Sequence, residues 1–252
     1  MFYFDFDKMA QEVYDIIARP PISFANILKI AELTNGQRTN PLWLQLHSSV
    51  LTASRFQIVI SHLRRKCDGD IVNRLYNYSP VVTGAMLYGQ QMEERARQAF
   101  IAETGYRVKE TGLFLFPSGL LGASPDGLVY TNKNDEQPSG VLEIKCPYRM
   151  RNASKSELYD LANKEHEKHY AQIQGQIFAT RVEFADLFYW SPQGTWRKRI
   201  IANRLWFHHY FVDMERIARK ARMFLFLVTR HLVFQIVNFD RRHFEIQNSN
   251  YF

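Results

Sequence analysis

Apolar positions recur every three to four residues through the first part of the chain, as they do in amphipathic helices. This spacing predicts a helix over residues 7–19, which Pro20-Pro21 ends, and a second helix that Ser23 caps and that runs to Leu33. Further helical segments are predicted over residues 42–63 behind Asn40-Pro41, over residues 55–65 behind a cap at Thr52 or Ser54, and over residues 89–104 before Gly105.

The hydrophobic period changes after residue 105, where short apolar runs alternate with turn residues. Strands are predicted over residues 113–117, 120–130, 140–145, 184–190 and 195–202. Helices are predicted over residues 156–179 and 205–226, and the polar segment 131–140 is typical of a hairpin connection. This order of elements predicts a layered α/β or α+β fold and not a helical bundle.

The longest apolar run, residues 223–237, carries Arg230 and His231 in its middle and is short for a membrane span. It predicts a buried, strand-like segment. Residues 1–8 lack a basic region, and Asp5 and Asp7 interrupt their apolar residues, so we expect no signal peptide. We expect a protein with no membrane partner, located inside the cell.

Composition narrows the class of protein. The 252 residues are 46% hydrophobic and 14% aromatic, which excludes a disordered chain. The 32 basic and 25 acidic residues give 32 − 25 = +7, which suggests a polyanionic partner. Cys67 and Cys146 cannot form a disulfide framework, and no CxxC or HxxxH pair or GxxxxGK[ST] loop is present. A reducing compartment is expected, and a zinc site or an ATPase is unsupported.

The candidate chemistry lies between residues 122 and 147. Glu143 and Lys145 share one face of a predicted strand, and a hairpin over residues 131–140 would bring Asp126 beside Glu143. Two carboxylates so placed form a hard-oxygen site for Mg²⁺, and an adjacent lysine can orient water or stabilise charge on a phosphate. The alternative for Glu143 and Lys145 is an ordinary ion pair on a half-exposed strand.

Asp126 followed by Glu143-Ile144-Lys145 resembles the PD-(D/E)xK nuclease pattern, and the wider chain resembles the lambda-exonuclease or YqaJ-like viral recombinase branch. The resemblance extends over about residues 41–192 and is carried by five ordered segments: residues 51–54 (LTAS), 89–96 (GQQMEERA), 122–127 (GASPDG), 142–147 (LEIKCP) and 170–176 (YAQIQGQ). It implies a restriction-endonuclease-like core with a central mixed sheet flanked by helices.

The resemblance also implies roles for the residues of the site. Asp126 and Glu143 would bind Mg²⁺ or Mn²⁺, with the Ile144 carbonyl as a further candidate ligand, and Lys145 would be the catalytic lysine. Glu93 would complete the site. Its alternatives are that Glu94 takes this role, or that Glu93 only forms a helical i,i+4 surface pair with Arg97.

Further residues are assigned by the same resemblance. Gln172 would lie near the reacting phosphate; helical spacing places Gln176 on its face and Gln174 elsewhere, and Tyr170 either packs or touches the site. Ser54 and Ser124 match serines that hold a terminal 5′-phosphate, with a helix cap and a turn hydrogen bond as their alternatives. His47 stands where the family usually carries an arginine and is a candidate DNA contact. Candidate contacts to the DNA backbone near the cut are Arg149, Arg151 and Lys155.

The resemblance implies a Mg²⁺-dependent exonuclease that acts 5′→3′ on double-stranded DNA ends in recombination, repair or viral DNA processing. It also implies a single-strand annealing partner, a homo-trimer, and a location in the cytoplasm or the host nucleus. Two alternatives stay open, which are an endonuclease or RNA-cleaving relative and a catalytically weak nucleic-acid-binding module. We expect one nuclease domain with a helical extension (1–40), a core (41–205) and a C-terminal helix and tail (206–252).

Overall fold

The computed structural model describes residues 20–65, 71–76, 83–132 and 134–222. The helices are α1 (Phe24–Leu33), α2 (Pro41–Ser49), α3 (Phe56–Arg65), α4 (Ile71–Tyr76), α5 (Gly84–Thr104), α6 (Lys155–Glu165), α7 (Tyr170–Thr180) and α8 (residues 204–222). The strands are β1 (Leu51–Thr52), β2 (Arg107–Lys109), β3 (Phe114–Leu115), β4 (Leu121–Ala123), β5 (Gly127–Tyr130), β6 (Gly140–Lys145), β7 (Phe184–Ser191) and β8 (Gly194–Ile201). The predictions for residues 7–19, for residues 223–237 and for Cys67 concern positions outside the described residues.

The larger sheet has five strands in the order β2-β5-β6-β7-β8. Only β6 and β7 are parallel, and the neighbouring pairs are antiparallel, so the sheet is mixed. The β5–β6 hairpin pairs Gly127 with Leu142 across the predicted connection. A smaller sheet, β1-β4-β3, packs with α1, α3 and α8 around a second core.

Helices cover both faces of the larger sheet because the side chains of β6 alternate. Leu142 and Ile144 pack with Ala96 and Phe100 of α5. Val141, on the opposite face, belongs to a cluster with Leu158 and Ala162 of α6 and Ile173 and Ile177 of α7. The predicted layered fold with a mixed sheet between helices is confirmed. The odd-numbered face of β6 also carries Glu143 and Lys145, so these polar residues lie on the side of α7.

Several predicted boundaries are wrong. The segment 120–130 is two strands in different sheets, because Pro125 has no N–H to continue a ladder and the chain turns there. The helix over 156–179 breaks into α6, a 3₁₀ turn at His166–His169, and α7. Residues 42–63 are not one helical segment, since β1 pairs with β4 inside it. Strand β2 was not predicted.

One predicted helix cap is right, whereas two other predicted helix starts are wrong. Ser23 caps α1, as predicted, by accepting a hydrogen bond from the Asn26 N–H. Neither Thr52 nor Ser54 caps a helix through its side chain, because their hydroxyls bond each other at 3.0 Å. Helix α5 begins five residues earlier than predicted because Thr83 caps it. Among the described residues, no helix is both long and apolar enough to cross a membrane.

Gly175 allows α7 to pack closely on the start of α3. A Cβ at this position would lie 2.6 Å from the Phe56 ring and 2.8 Å from the Ala53 Cβ. We expect Gly175→Ala to lower the free energy of unfolding by about 1–3 kcal/mol through overpacking, measured by urea denaturation. Gly89→Ala in α5 is the matched control, because its new Cβ would meet nothing closer than 4.0 Å. That change should raise the stability by up to about 1 kcal/mol, and equal effects of the two substitutions would contradict the packing argument.

Candidate active site

The peptide before Asp126 is held against β6 by the start of the β5–β6 hairpin. The Asp126 N–H donates to the Leu142 carbonyl at 3.0 Å, and the Ile144 N–H donates to Asp126 Oδ2 at 2.7 Å. Asp126 therefore lies next to the segment that carries Glu143 and Lys145, as the hairpin in the sequence suggests. The last two are side by side, since Lys145 Nζ donates to Glu143 Oε1.

Glu143 is a buried carboxylate surrounded by donors. Its side chain is only 4% exposed. Besides Lys145, it accepts a hydrogen bond from Gln172 Nε2 at 2.7 Å on Oε1 and one from Gln176 Nε2 on Oε2. The two glutamines are four residues apart on α7 and share a face. Gln174, on another face, bonds Ile201 and Asn203 instead. Glu143 is therefore not part of a half-exposed surface pair, because its side chain is buried. A buried carboxylate needs hydrogen-bond donors such as these.

Glu93 is tied to a buried arginine. Arg97 Nη2 lies 3.0 Å from Glu93 Oε1, and Nη1 contacts both Glu94 and Glu110. The Arg97 side chain is 9% exposed, and its Nη2 is 3.5 Å from the Asp126 carbonyl. Glu93 and Arg97 therefore do not form a simple surface pair, because the arginine is buried. The i,i+4 spacing of Glu93 and Arg97 carries no information about burial, so the sequence does not predict a role for Arg97 at the site.

The carboxylates repel one another in a poorly solvated place. Burial, and then the charges of Glu143 and Glu93, raise the pKa of Asp126 well above its ordinary value. Burial also raises the pKa of Glu93, although Arg97 opposes this. Burial alone would lower the pKa of Lys145, but the carboxylates of Glu143 and Asp126 outweigh it and raise that pKa. Lys145 therefore remains a charged ammonium at neutral pH.

The donor set fits a hard divalent cation. Asp126, in the turn before β5, and Glu143, in β6, supply two carboxylates, and the Ile144 carbonyl also belongs to β6. A cation would offset the repulsion between the carboxylates. Over the described ranges, no group of three or more His, Cys, Asp or Glu side chains is arranged to hold an ion ready-made. The carboxylates do not point at a common position, because Glu93 bonds Arg97 and Glu143 bonds Lys145 and the side-chain amides of α7. The assignments of the metal ligands stay predictions.

Trp43 connects two of the predicted phosphate contacts. Its indole N–H donates to Ser124 Oγ at 2.8 Å, and its ring stacks on His47 with 4.1 Å between centroids. Burial, followed by the charges of Arg55 and Arg38, lowers the pKa of His47 to about 4, so the imidazole is neutral at pH 7. Since Ser124 Oγ accepts from Trp43, its own proton is directed elsewhere. Ser54 is exposed and bonds only Thr52 among the described residues.

The predicted basic contacts follow β6 on the surface. Arg149 is exposed and pairs with Glu165 at 2.7 Å. Arg151 is exposed, and its guanidinium lies 4.0 Å from the centroid of the Tyr148 ring. Lys155 begins α6, and its stem covers Gly194 at the β7–β8 turn. The structure thus brings Arg149 and Arg151 to the end of the strand that carries Lys145, but directs the stem of Lys155 toward the turn.

Packing and local hydrogen bonds account for Tyr170, Cys146 and Arg199. Tyr170 accepts a hydrogen bond from Asn203 and packs on Trp206, so it belongs to the core side. Burial raises the pKa of Cys146 to about 12, as expected for a packed thiol that is no nucleophile. Arg199, in β8, forms a bidentate pair with the fully buried Asp186.

A cavity of about 200 Å³ beside the acidic residues is lined in part by residues that no sequence motif marks. Its lining includes Gln37 and Arg38 together with Glu93, Arg97 and Asp126. On another side of the site, His169 precedes α7, and burial followed by the charge of Lys145 lowers its pKa to about 4. Neither Arg38 nor His169 belongs to a recognisable sequence motif, and only the fold brings them to this place.

The raised pKa of Asp126 predicts that the ionised side chain destabilises the metal-free protein. A carboxyl group whose pKa is higher in the folded state contributes stability below its unfolded pKa and loses it as pH rises toward the folded pKa. We expect Asp126→Asn, which keeps an acceptor for the Ile144 N–H, to raise the Tm of the metal-free protein at pH 7. The rise should be roughly 2–4 °C for each kcal/mol relieved. The difference should shrink below about pH 4; a Tm lowered at pH 7 would contradict this.

Comparisons with known proteins agree with this architecture. Residues 42–183 match the YqaJ-like viral recombinase domain. The chain is 28% identical over 134 residues to an alkaline nuclease of Autographa californica nuclear polyhedrosis virus and 30% identical over 141 residues to an alkaline nuclease of Orgyia pseudotsugata multicapsid polyhedrosis virus. These alignments cover 53% and 55% of this chain but only 31% of each relative.

Solved structures show the same fold. The crystal structure of the alkaline exonuclease LHK-Exo from Laribacter hongkongensis matches with a TM-score of 0.55 at 22% identity, over 73% of this chain and 94% of that one. LHK-Exo in complex with dAMP matches with a TM-score of 0.56 at 23% identity, over the same shares. The predicted restriction-endonuclease-like PD-(D/E)xK core is therefore confirmed, and this chain belongs to the YqaJ-like viral recombinase family.

Proposed function

We propose that this protein is a metal-dependent nuclease that hydrolyses phosphodiester bonds at double-stranded DNA ends in the 5′→3′ direction. The observation that carries the proposal is the convergence of Asp126, Glu143 and Lys145 at the end of β6. Asp126 accepts a hydrogen bond from the Ile144 N–H at 2.7 Å. Glu143 accepts one from Gln172 at 2.7 Å and one from Lys145. The family and the fold of an alkaline exonuclease support the same chemistry.

Mg²⁺ or Mn²⁺, when bound, would supply activated water and charge stabilisation at the phosphate. The residues of the chain provide the rest. Asp126 and Glu143 would hold the ion through their carboxylates, and Glu93 is held close by Arg97. Lys145 Nζ donates to Glu143 Oε1 and can also donate a hydrogen bond to the attacking water or to a phosphate oxygen. Gln172 and Gln176 fix the Glu143 carboxylate by a bond to each oxygen.

DNA contacts would surround this acidic spot. Ser124 receives its hydrogen bond from Trp43, which leaves the hydroxyl proton of Ser124 available for a phosphate oxygen. Arg149 and Arg151 are exposed just beyond the active strand and can attract the backbone near the cut. The proposed partners are DNA ends, a single-strand annealing protein and further copies of this chain in a trimer. The proposed process is recombination, repair or viral DNA processing.

A second candidate is an endonuclease, or an RNA-cleaving relative, of the same fold. The observation that favours it is the neutral His47, which stands at the position of a family arginine and binds a terminal phosphate more weakly than a guanidinium. Weak dependence on a 5′-phosphate would permit cutting away from ends.

A cleavage assay with purified protein separates these functions. We expect Mg²⁺-dependent degradation of linear duplex DNA, with little cutting of circular duplex or RNA, and no activity with a chelator. Asp126→Ala and Lys145→Ala should each lower kcat by at least about 10³-fold, because the first removes a proposed metal ligand and the second removes a positive charge beside the reacting phosphate.

Each outcome of the assay supports one of these functions and excludes another. Gln174→Ala, on the other face of α7, should retain cleavage wherever it remains folded. Full activity of Asp126→Ala, or cleavage that a chelator does not affect, would refute the metal mechanism. Rapid cutting of circles or of RNA would favour the second candidate. DNA binding by the wild-type protein without any hydrolysis would identify a binding module.

The layout of the basic residues predicts a change in the salt dependence of DNA binding. Arg149→Ala and Arg151→Ala should each weaken binding and reduce the slope of log K against log [salt] by about 0.9 per lost phosphate contact. Arg107→Ala is the control, because Arg107 pairs with Tyr130 at the end of β5 that is distant from Asp126. Fluorescence anisotropy at several salt concentrations measures the slope, and an unchanged slope in both variants would argue against these contacts.

A further inference from the structure

The peptide bond between Pro125 and Asp126 is held at both ends. Its N–H, that of Asp126, donates to the Leu142 carbonyl at 3.0 Å. Its carbonyl, that of Pro125, accepts a hydrogen bond from Gln37 Nε2 at 2.9 Å. Since the peptide unit is planar, two anchors on opposite sides fix its orientation and hence the direction in which the Asp126 side chain leaves the backbone.

Gln37 uses both protons of its amide for this purpose. Nε2 also donates to the Thr111 carbonyl at 3.1 Å, so one side chain joins the segment before β3 to the turn before β5. Both partners are carbonyl oxygens, which can only accept, so it is the amide nitrogen of Gln37 and not its amide oxygen that faces them. Gln37 also lines the cavity that contains Glu93 and Asp126.

The backbone around Gln37 is shaped to deliver this side chain. Gln37 has a φ of 44° and directly follows Gly36, whose φ is 85°, so two consecutive residues have a left-handed backbone conformation. A side-chain-bearing residue at positive φ is costly and is retained when its surroundings require it. The loop is docked nearby, since the Leu113 N–H donates to Thr34 Oγ1 at 2.8 Å, and Asn40 Nδ2 donates to the Leu33 and Asn35 carbonyls, both at 2.9 Å.

We propose that Gln37 is a positioning residue for Asp126, supplied by the loop between α1 and α2, before the region that matches the family. The proposal rests on the proposed function, in which Asp126 ligates the metal. Gln37 does not touch the reacting atoms. It acts through the Pro125–Asp126 peptide, in the way that outer hydrogen bonds orient a ligating carboxylate.

Two substitutions at Gln37 and one control test the proposal. Gln37→Ala removes both hydrogen bonds, and Gln37→Gly removes them while accepting the left-handed backbone without a Cβ. Gln174→Ala is the control, because Gln174 also joins two backbone groups, at 2.9 and 2.8 Å, but at the end of β8. Melting temperatures show that each variant is folded at the temperature of measurement.

Two readouts do not depend on cleavage. The first is Mn²⁺ binding to the metal-free protein by calorimetry, where we expect both Gln37 variants to bind about tenfold more weakly and Gln174→Ala to bind as the wild type does. The second is hydrogen exchange at the Asp126 amide, which we expect to be at least about fivefold faster in both Gln37 variants because its peptide loses one anchor. In cleavage assays kcat should fall, while KM for DNA stays within about twofold.

The outcomes distinguish this inference from the proposed function. Wild-type Mn²⁺ affinity together with wild-type exchange in both Gln37 variants would overturn the inference, even if the protein is a nuclease. Weaker Mn²⁺ binding and faster exchange in a protein that cuts no nucleic acid would support the inference and refute the proposed function. If the wild type binds no Mn²⁺, the exchange rate at Asp126 decides alone.

Discussion

The structure depends on keeping several carboxylates close together in a place with little water. Isolated buried carboxylates are strongly disfavoured, so each needs donors nearby. Glu143 has three, from Lys145, Gln172 and Gln176. Asp126 has the Ile144 N–H, which is one donor against the charges of its neighbours, and its pKa is raised well above the ordinary value. The repulsion that remains at Asp126 is what a divalent cation would relieve.

Arg97 compensates the charge of further carboxylates outside the strands. It lies in α5 and contacts three glutamates, so the negative charge that faces the site is held by a guanidinium with little access to water. Its Nε has no hydrogen-bond partner within the residues that the structure describes. The arginine thus connects α5 to Glu110, before β3, and to the Asp126 turn. The helix, the turn and the segment between β2 and β3 cannot shift independently without breaking a charged contact.

The sequence predicts the parts of this site that depend on local spacing. The strand alternation places Glu143 and Lys145 together, the turn residues place Asp126, and helical spacing puts Gln172 and Gln176 on one face. The boundaries of the fold were less predictable, because β1 and β2 are too short for a periodic signal and exist through pairing with β4 and β5. Contacts between distant segments left no local pattern, which is why the burial of Arg97 and the role of Trp43 were not foreseen.

Trp43 shows why the phosphate contacts cannot be read from residue types alone. An indole can only donate, so its bond to Ser124 determines that the serine oxygen accepts and that the hydroxyl proton is left for another acceptor. The same ring stacks on His47, and the burial that results keeps this imidazole neutral. The Ser124 side of the site therefore offers oriented hydrogen bonds, whereas Arg149 and Arg151 offer charge after β6. If DNA binds as proposed, recognition near Ser124 depends on geometry that Trp43 provides, and long-range attraction comes from the arginines that follow β6 at the same end of the β5–β6 pair.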